Sequence, residues 1–155
     1  MSVIRPVDLA DATALTALVA RETERDAYGD GARYFVQQAI ATVGGETACL
    51  VAECDGELTG CVVYGHVAGT IGTARLSYVV VVERERRRGV GSLLCHAALD
   101  ALTRAGMRRV VIEMADDPAL VAARALSRAC GFAEAARVPG YYRDGVDLLI
   151  LESGS

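Results

Sequence analysis

Residues 78–98 read Y-V-V-V-V-E-R-E-R-R-R-G-V-G-S-L-L-C-H-A-A. The four valines form a β-branched block, stiff at χ1 and suited to a strand buried on both faces. The period then changes. Val90, Leu93, Leu94, Ala97, Ala98, Ala101 and Leu102 recur at three- and four-residue spacing, which predicts a helix with one buried face, ended by Gly106. Between the two lies E-R-E-R-R-R-G-V-G-S, residues 83–92, a glycine-bearing turn that opens the helix. Such a turn leaves several main-chain N–H groups unpaired and aimed at one spot. With the positive end of the helix dipole they form an anion site suited to phosphate. A solvated, charged turn that only starts a helix is the other reading of the same residues.

Within the turn, Gly89 and Gly91 allow close main-chain approach, because a Cβ there would intrude on a pyrophosphate. Arg86, Arg87 and Arg88 add charge for outer phosphates. Two familiar phosphate loops are excluded. A G-x-x-x-x-G-K-[ST] loop needs a lysine, and all 16 basic residues here are arginine. A dinucleotide fingerprint needs three glycines spaced G-x-G-x-x-G, and G-V-G is followed by Ser92-Leu93-Leu94.

Outward from this stretch the chain alternates strands and helices. Residues 2–5, followed by Pro6, predict an edge strand. Asp8 or Asp11 caps a helix to about Arg21. Residues 22–31 read as a polar loop, and a second helix carries Tyr34, Phe35 and Ile40 until Gly44-Gly45. Residues 49–53 and 58–67 predict strands joined by the Asp55-Gly56 turn. The valine-rich strand spans 74–82. Beyond the amphipathic helix come a strand at 109–114, a helix at 119–130 stopped by Gly131, and strands at 132–138 and 146–152 joined by P-G-Y-Y-R-D-G. The order is β-α-α-β-β-β-α-β-α-β-β, one mixed α/β domain over residues 1–155.

Composition narrows the function. A chain of 155 residues, 52% hydrophobic, fits one domain and needs no disulfide or metal to hold its core. A net charge of −4 argues against a phosphate-tracking nucleic-acid binder. The first residues do not read as a signal peptide and no apolar run approaches about 20 residues, so no membrane partner is predicted. Cys49, Cys54, Cys61, Cys95 and Cys130 form no C-x-x-C pair and read as reduced thiols of a cytoplasmic protein. His66 and His96 have no partner pattern, and no metal site is expected.

Arg86-Arg87-Arg88-Gly89-Val90-Gly91 matches the [QR]-x-x-G-x-[GA] acyl-CoA signature of the GNAT N-acetyltransferase superfamily, in a strand–turn–helix context. The resemblance extends to the strand before it and to R-A-L-S-R-A-C-G-F at 124–132, similar to the family's second motif ending in G-F. It implies a mostly antiparallel twisted sheet, splayed between its fourth and fifth strands and flanked by about four helices. It also implies acetyl-CoA as donor. The N–H groups of residues 87–92, including Val90 and Ser92, would hold the pyrophosphate. The main chain of Val79, Val80 and Val81 would pair with the pantetheine arm as an added strand, since a strand edge offers a row of unpaired N–H and C=O groups.

The implied chemistry is direct acetyl transfer to a primary amine, without a covalent enzyme intermediate. Such an amine, with a pKa of about 10.4, is neutral in roughly one molecule in a few thousand at pH 7, so a base raises the reactive fraction. Glu113 near a strand end is the candidate, flanked by Ile112 and Met114, which would desolvate it. A Glu in the matching position serves as base in the protein N-terminal acetyltransferases, the branch this chain is somewhat similar to. An exposed glutamate paired with an arginine is the alternative reading. The family's thiolate-protonating tyrosine is Ser127 here, and the asparagine near the start of that helix is replaced around Leu120. Water, Tyr141 or Tyr142 remains to supply the proton, and Tyr142 is taken as the catalytic one. Cys95 and Cys130, at apolar or helix-end positions with no neighbouring His, are not nucleophile candidates.

Tyr141-Tyr142 resembles a Y-Y pair that lies over the acceptor peptide in the N-terminal acetyltransferases. Packing of one ring on the core and the other on the sheet edge is the alternative. Glu22, Glu24, Asp26 and Asp30 read as a solvated acidic loop that could also steer a cationic amine. The acceptor is a small-molecule amine or a protein N-terminus, and edge strands together with the family's habits point to a homodimer. A non-catalytic acyl-CoA-binding or sensing module on the same fold is the competing function.

Overall fold

The computed structural model describes residues 1–42 and 45–153. Seven strands form one sheet: β1 Val3–Pro6, β2 Thr47–Cys54, β3 Glu57–His66, β4 Thr73–Val81, β5 Arg109–Ala115, β6 Phe132–Arg143 and β7 Val146–Ser153. Their spatial order is β1-β2-β3-β4-β5-β7-β6. Every neighbouring pair is antiparallel except β4 and β5. Four helices complete the fold: α1 Ala12–Glu22, α2 Gly29–Ala41, α3 Val90–Arg104 and α4 Val121–Ala129.

The central strands are buried on both faces, and alternation sorts their side chains. Val62 and Tyr64 of β3 join Leu94, Cys95, Ala98 and Leu102 of α3 in one core. Cys61 and Val63 join Leu15, Leu18 and Val19 of α1 and Ala32, Val36 and Ala39 of α2 in the other. On β4 the alternation breaks. Ala74 and Leu76 face α3, whereas Val80, and Val82 just past the strand end, face α1 and α2, although all four numbers are even. The cause is one inserted residue. Val63 lies opposite Tyr78 and Tyr64 opposite Leu76, so Ser77 has no partner on β3 and forms a bulge. An extra residue flips every later side chain to the other face and bends the strand.

The bend falls where β4 leaves β5. The two strands pair at three positions only, Thr73–Arg109, Ala74–Val110 and Arg75–Val111. Beyond Arg75 the β5-side edge of β4 carries no ladder among the described residues, and the sheet is splayed there.

Several boundaries differ from the sequence reading. The loop expected over residues 22–31 is shorter, because Glu22 closes α1 and α2 already starts at Gly29. The second helix ends at Ala41, and Gly44 of the expected Gly44-Gly45 stop lies outside the described residues. Residues 118–120 form a separate 3-10 turn, capped by the Asp117 carboxylate, before α4 begins. The P-G-Y-Y-R-D-G stretch is not a loop. β6 continues through it to Arg143, and Asp144-Gly145 alone turns the chain, with the register slipping between Val138 and Arg143. Residues 139–142 have no β7 partner in this register; four residues stand against Asp147, whose carboxylate accepts from the Gly140 N–H at 3.0 Å.

Leu94 is fully buried between α3 and β3, and Leu9 is exposed. Leu94→Ala is expected to lower the urea-unfolding free energy by about 2–5 kcal/mol, against within about 0.5 for Leu9→Ala. Equal effects would contradict this packing.

Candidate cofactor and acceptor site

The turn between β4 and α3 is shaped by two residues in the left-handed region, Arg87 at φ +66° and Gly89 at φ +82°. A non-glycine residue there is unusual, and alternation of hands around Arg88 makes successive N–H groups converge. The first main-chain bond of α3 runs from the Leu93 N–H to the Gly89 carbonyl at 3.0 Å. Among the described residues, the N–H groups of residues 87–92 find no protein acceptor. Six donors at a helix N-terminus are therefore left open, the arrangement a diphosphate fits.

The two glycines do different things. A Cβ on Gly89 would meet nothing within 4 Å, so that glycine is demanded by its φ. A Cβ on Gly91 would lie 3.3 Å from Leu126 of α4 and 3.7 Å from Val81, so that glycine lets α3 approach α4 and β4. The arginines also divide. Arg86 donates from Nε to the Val81 carbonyl at 3.0 Å and from Nη2 to Glu22 at 3.2 Å, and so is held away from the open amides. Arg88 is 3.9 Å from Glu85, and Arg87 makes no ion pair among the described residues.

Of Val79, Val80 and Val81, two turn their main chain to the splay. The Val82 N–H bonds the Thr59 carbonyl on β3 at 2.9 Å, which by alternation directs the polar groups of Val80 to β3 as well. Val79 and Val81 then face the gap, with the Val81 carbonyl already taken by Arg86. The expectation of three pairing residues is corrected to two, because successive strand residues point opposite ways.

Across the gap, Glu113 sits on β5 opposite Ile150 of β7. Ile112 and Met114, expected to desolvate it, point into the α3-side core, while Glu113 is on the other face. Its carboxylate lies 3.3 Å from Arg75 Nη2, and its side chain is 38% exposed. That is the exposed ion pair of the alternative reading. Arg75 Nε is buried without a partner among the described residues.

An aromatic group stands beside this pair. Tyr142 packs edge-on against Tyr28 at 5.3 Å and against Tyr141 at 5.0 Å. Tyr28 donates to Asp117 at 2.6 Å, and its carbonyl receives the Tyr78 hydroxyl at 3.4 Å. Tyr28, in the segment before α2, thus bridges to the far side of the splay. The Asp117 carboxyl is held below its usual range, first by the Tyr28 hydroxyl and then by the Ala119 N–H, and Tyr28 is raised by the same bond. Burial, followed by the nearby phenols of Tyr78 and Tyr141 and the Glu113 carboxylate, pushes Tyr142 up to about 12. Tyr28, Tyr78, Asp117 and Arg75 were not singled out from sequence. Their one signal was polar or aromatic character at strand ends and in a loop.

Other candidates resolve differently. Ser127 is buried and donates its hydroxyl to the Ala123 carbonyl at 2.9 Å, so it faces its own helix. Glu22 belongs to the cofactor side of the molecule, Asp26 accepts from the Tyr28 N–H, and Asp30 pairs with Arg33. Cys130 does have a histidine neighbour, contrary to the sequence reading: its Sγ is 3.8 Å from His96 Nδ1. That nitrogen is also 3.1 Å from the Ser92 carbonyl, a contact it makes only as a donor, so it has no lone pair for the thiol. The Cys95 thiol is pushed up to about 12, first by burial. Among the described residues no group of three or more His, Cys, Asp or Glu side chains could hold a metal, and no helix is long and apolar enough to cross a membrane.

Residues 14–132 match the model of the acetyltransferase (GNAT) family. The chain belongs to that family. Solved structures share its fold over nearly the whole chain. A GNAT-family protein from Desulfovibrio desulfuricans is 22% identical, with 98% of each chain covered and a TM-score of 0.85. The ribosomal-protein-S18-alanine N-acetyltransferase of Escherichia coli is 20% identical, covering 99% of this chain and 93% of its own, with a TM-score of 0.77. The protein yncA of Salmonella typhimurium, solved with its cofactor acetyl-CoA, is 22% identical, covering 97% and 92%, with a TM-score of 0.76. No curated protein matches the sequence.

The folded chain holds the Tyr142 proton to higher pH than the unfolded chain, whose phenol titrates near 10. Ionisation therefore opposes folding: stability is unaffected below pH 10 and falls as pH rises through about 12. In a phenolate absorbance titration, Tyr142→Phe is expected to remove one tyrosine from the late, near-pH-12 part of the curve. An identical late phase in the variant would refute the assignment.

Proposed function

We propose that the protein is an acetyl-CoA-dependent N-acetyltransferase that moves an acetyl group directly from the thioester to a primary amine. The single observation that carries this reading is the set of open main-chain N–H groups at residues 87–92, beside the unpaired edge of β4. The diphosphate of the donor occupies those amides, with Arg87 and Arg88 at hand for charge. The pantetheine amides pair with Val79 and the Val81 N–H. The acetyl group then reaches the gap between β4 and β5, where Glu113 and Tyr142 face it.

In the transfer, the amine nitrogen bonds the thioester carbonyl carbon, the C–S bond breaks, and the amine's proton leaves for a base while the thiolate takes one up. Glu113 receives the proton, directly or through water, with Arg75 fixing its position. Tyr142 keeps its own proton at neutral pH, so it acts as a donor and not as a base. It hydrogen-bonds the oxygen or sulfur on which charge develops. Tyr141 and Tyr142 line the approach of the acceptor, a small amine or a protein N-terminus. A second reading, a non-catalytic acyl-CoA sensor, draws on the inward-turned Ser127 hydroxyl, which removes one proton donor.

Thiol release with a panel of amines separates the two: sustained turnover supports the enzyme, and CoA binding without turnover the sensor. Glu113→Gln is expected to lower kcat about 10²-fold at neutral pH. The loss should shrink as pH approaches the amine's own pKa of about 10.4. A wild-type-like pH–rate profile would remove Glu113 from the mechanism.

Gly89→Val forces a branched residue to positive φ at a cost of about 1–2 kcal/mol, and is expected to weaken CoA binding at least about tenfold in calorimetry. Gly91→Ala, whose methyl comes closest to the end of the Leu126 side chain at 3.3 Å, should bind nearly as well as the parent. Full affinity in Gly89→Val would misplace the diphosphate.

A further inference from the structure

Glu22 ends α1, where the helix dipole disfavours a carboxylate. It is nevertheless one of the least exposed acids in the chain, with its side chain 11% accessible, and both oxygens are occupied. Oε1 accepts from the Glu83 N–H at 3.0 Å and from Arg86 Nη2 at 3.2 Å, while Oε2 accepts from Arg21 Nε at 3.2 Å. Arg86 in turn donates from Nε to the Val81 carbonyl. One carboxylate thus ties the end of α1 to the last residue of β4 and to the first residue of the 3-10 turn Glu83–Glu85. The chain leaves that turn through Arg86, in extended conformation at φ −66° and ψ 149°, and enters Arg87 at φ +66°. A strained residue of this kind persists only where its surroundings over-determine it.

We propose that Glu22 is a positioning residue for the diphosphate-binding turn. It touches no part of the donor. It clamps Arg86 on the Val81 carbonyl and anchors the turn at Glu83, and these two attachments fix the backbone that leaves the N–H groups of residues 87–92 open. The clamp neutralises Arg86, leaving Arg87 and Arg88 to meet phosphate charge. It also fills the Val81 carbonyl, which sets the end of the strand edge open to the pantetheine arm. This role rests on the acetyl-CoA reading above.

The test compares Glu22→Ala, Glu22→Gln, Arg86→Met and the double variant Glu22→Ala/Arg86→Met, by calorimetry with CoA and by steady-state kinetics with acetyl-CoA. Glu22→Ala should weaken CoA binding and raise the KM for acetyl-CoA about tenfold, with kcat and the acceptor KM within about twofold, the pattern of lost uniform binding. Glu22→Gln keeps an oxygen for the Glu83 N–H and should recover most of the affinity. Arg86→Met, which leaves the Glu22–Glu83 anchor in place, should show part of the Glu22→Ala loss with the same split, and the double variant should lose little more than Glu22→Ala alone, because Arg86 acts through the clamp. Affinity within twofold of the parent in Glu22→Ala, or additive losses in the double variant, would overturn the proposal. If Glu22→Ala does not fold, Arg86→Met decides it by the same split between KM and kcat. A parent chain with no CoA affinity would overturn the acetyl-CoA reading itself, a result distinct from either.

Discussion

The arrangement depends on one unpaired residue. Ser77 has no partner on β3, and this single insertion reverses which face of β4 each later residue presents. It also bends the strand just past Arg75, its last contact with β5. Without the bulge, a valine run as β-prone as this one would continue the parallel ladder and satisfy its own edge. With it, the sheet keeps its core on both faces while leaving a strand edge open in its middle. A helix N-terminus stands at the far end of that edge.

The open amides of residues 87–92 require a backbone that the sequence does not favour locally. Gly89 supplies one left-handed residue at no steric cost, but Arg87 supplies another against its preference. The conformation is held from outside, by Arg86 on the strand end and by Glu22 from α1. A motif that looks like a uniform row of arginines is therefore three residues with separate tasks: a brace, a strained turn residue and an exposed charge. Gly91 adds a packing task, letting α3 lie close to α4 and β4.

On the opposite side of the gap, polar chemistry comes from four separate elements. Arg75 and Glu113 approach from β4 and β5, Tyr142 from the end of β6, and Tyr28 from the segment before α2. Tyr28 joins the two halves of the splay through Asp117. The phenol of Tyr142 is only partly shielded, its residue 37% exposed, and lies close enough to Glu113 to feel its charge.

Sequence alone determined the element order, the amphipathic helix, the glycine turn that opens it, and the family. These are local properties: hydrophobic period, β-branching and the conformational freedom of glycine are written residue by residue. It did not determine how the elements meet. The bulge at Ser77 is invisible because a partner strand, not the run itself, decides which residue is left over. The extension of β6 through Pro139-Gly140, the pairing of Glu113 with Arg75, the inward Ser127 and the contact between Cys130 and His96 all join residues distant in the chain or depend on which side of an element faces the core. Glu22 is the sharpest case. In sequence it opens a polar, acidic stretch; in the fold it is a nearly buried acceptor for the cofactor turn, some 60 residues away, because only tertiary packing brings the end of α1 under the end of β4.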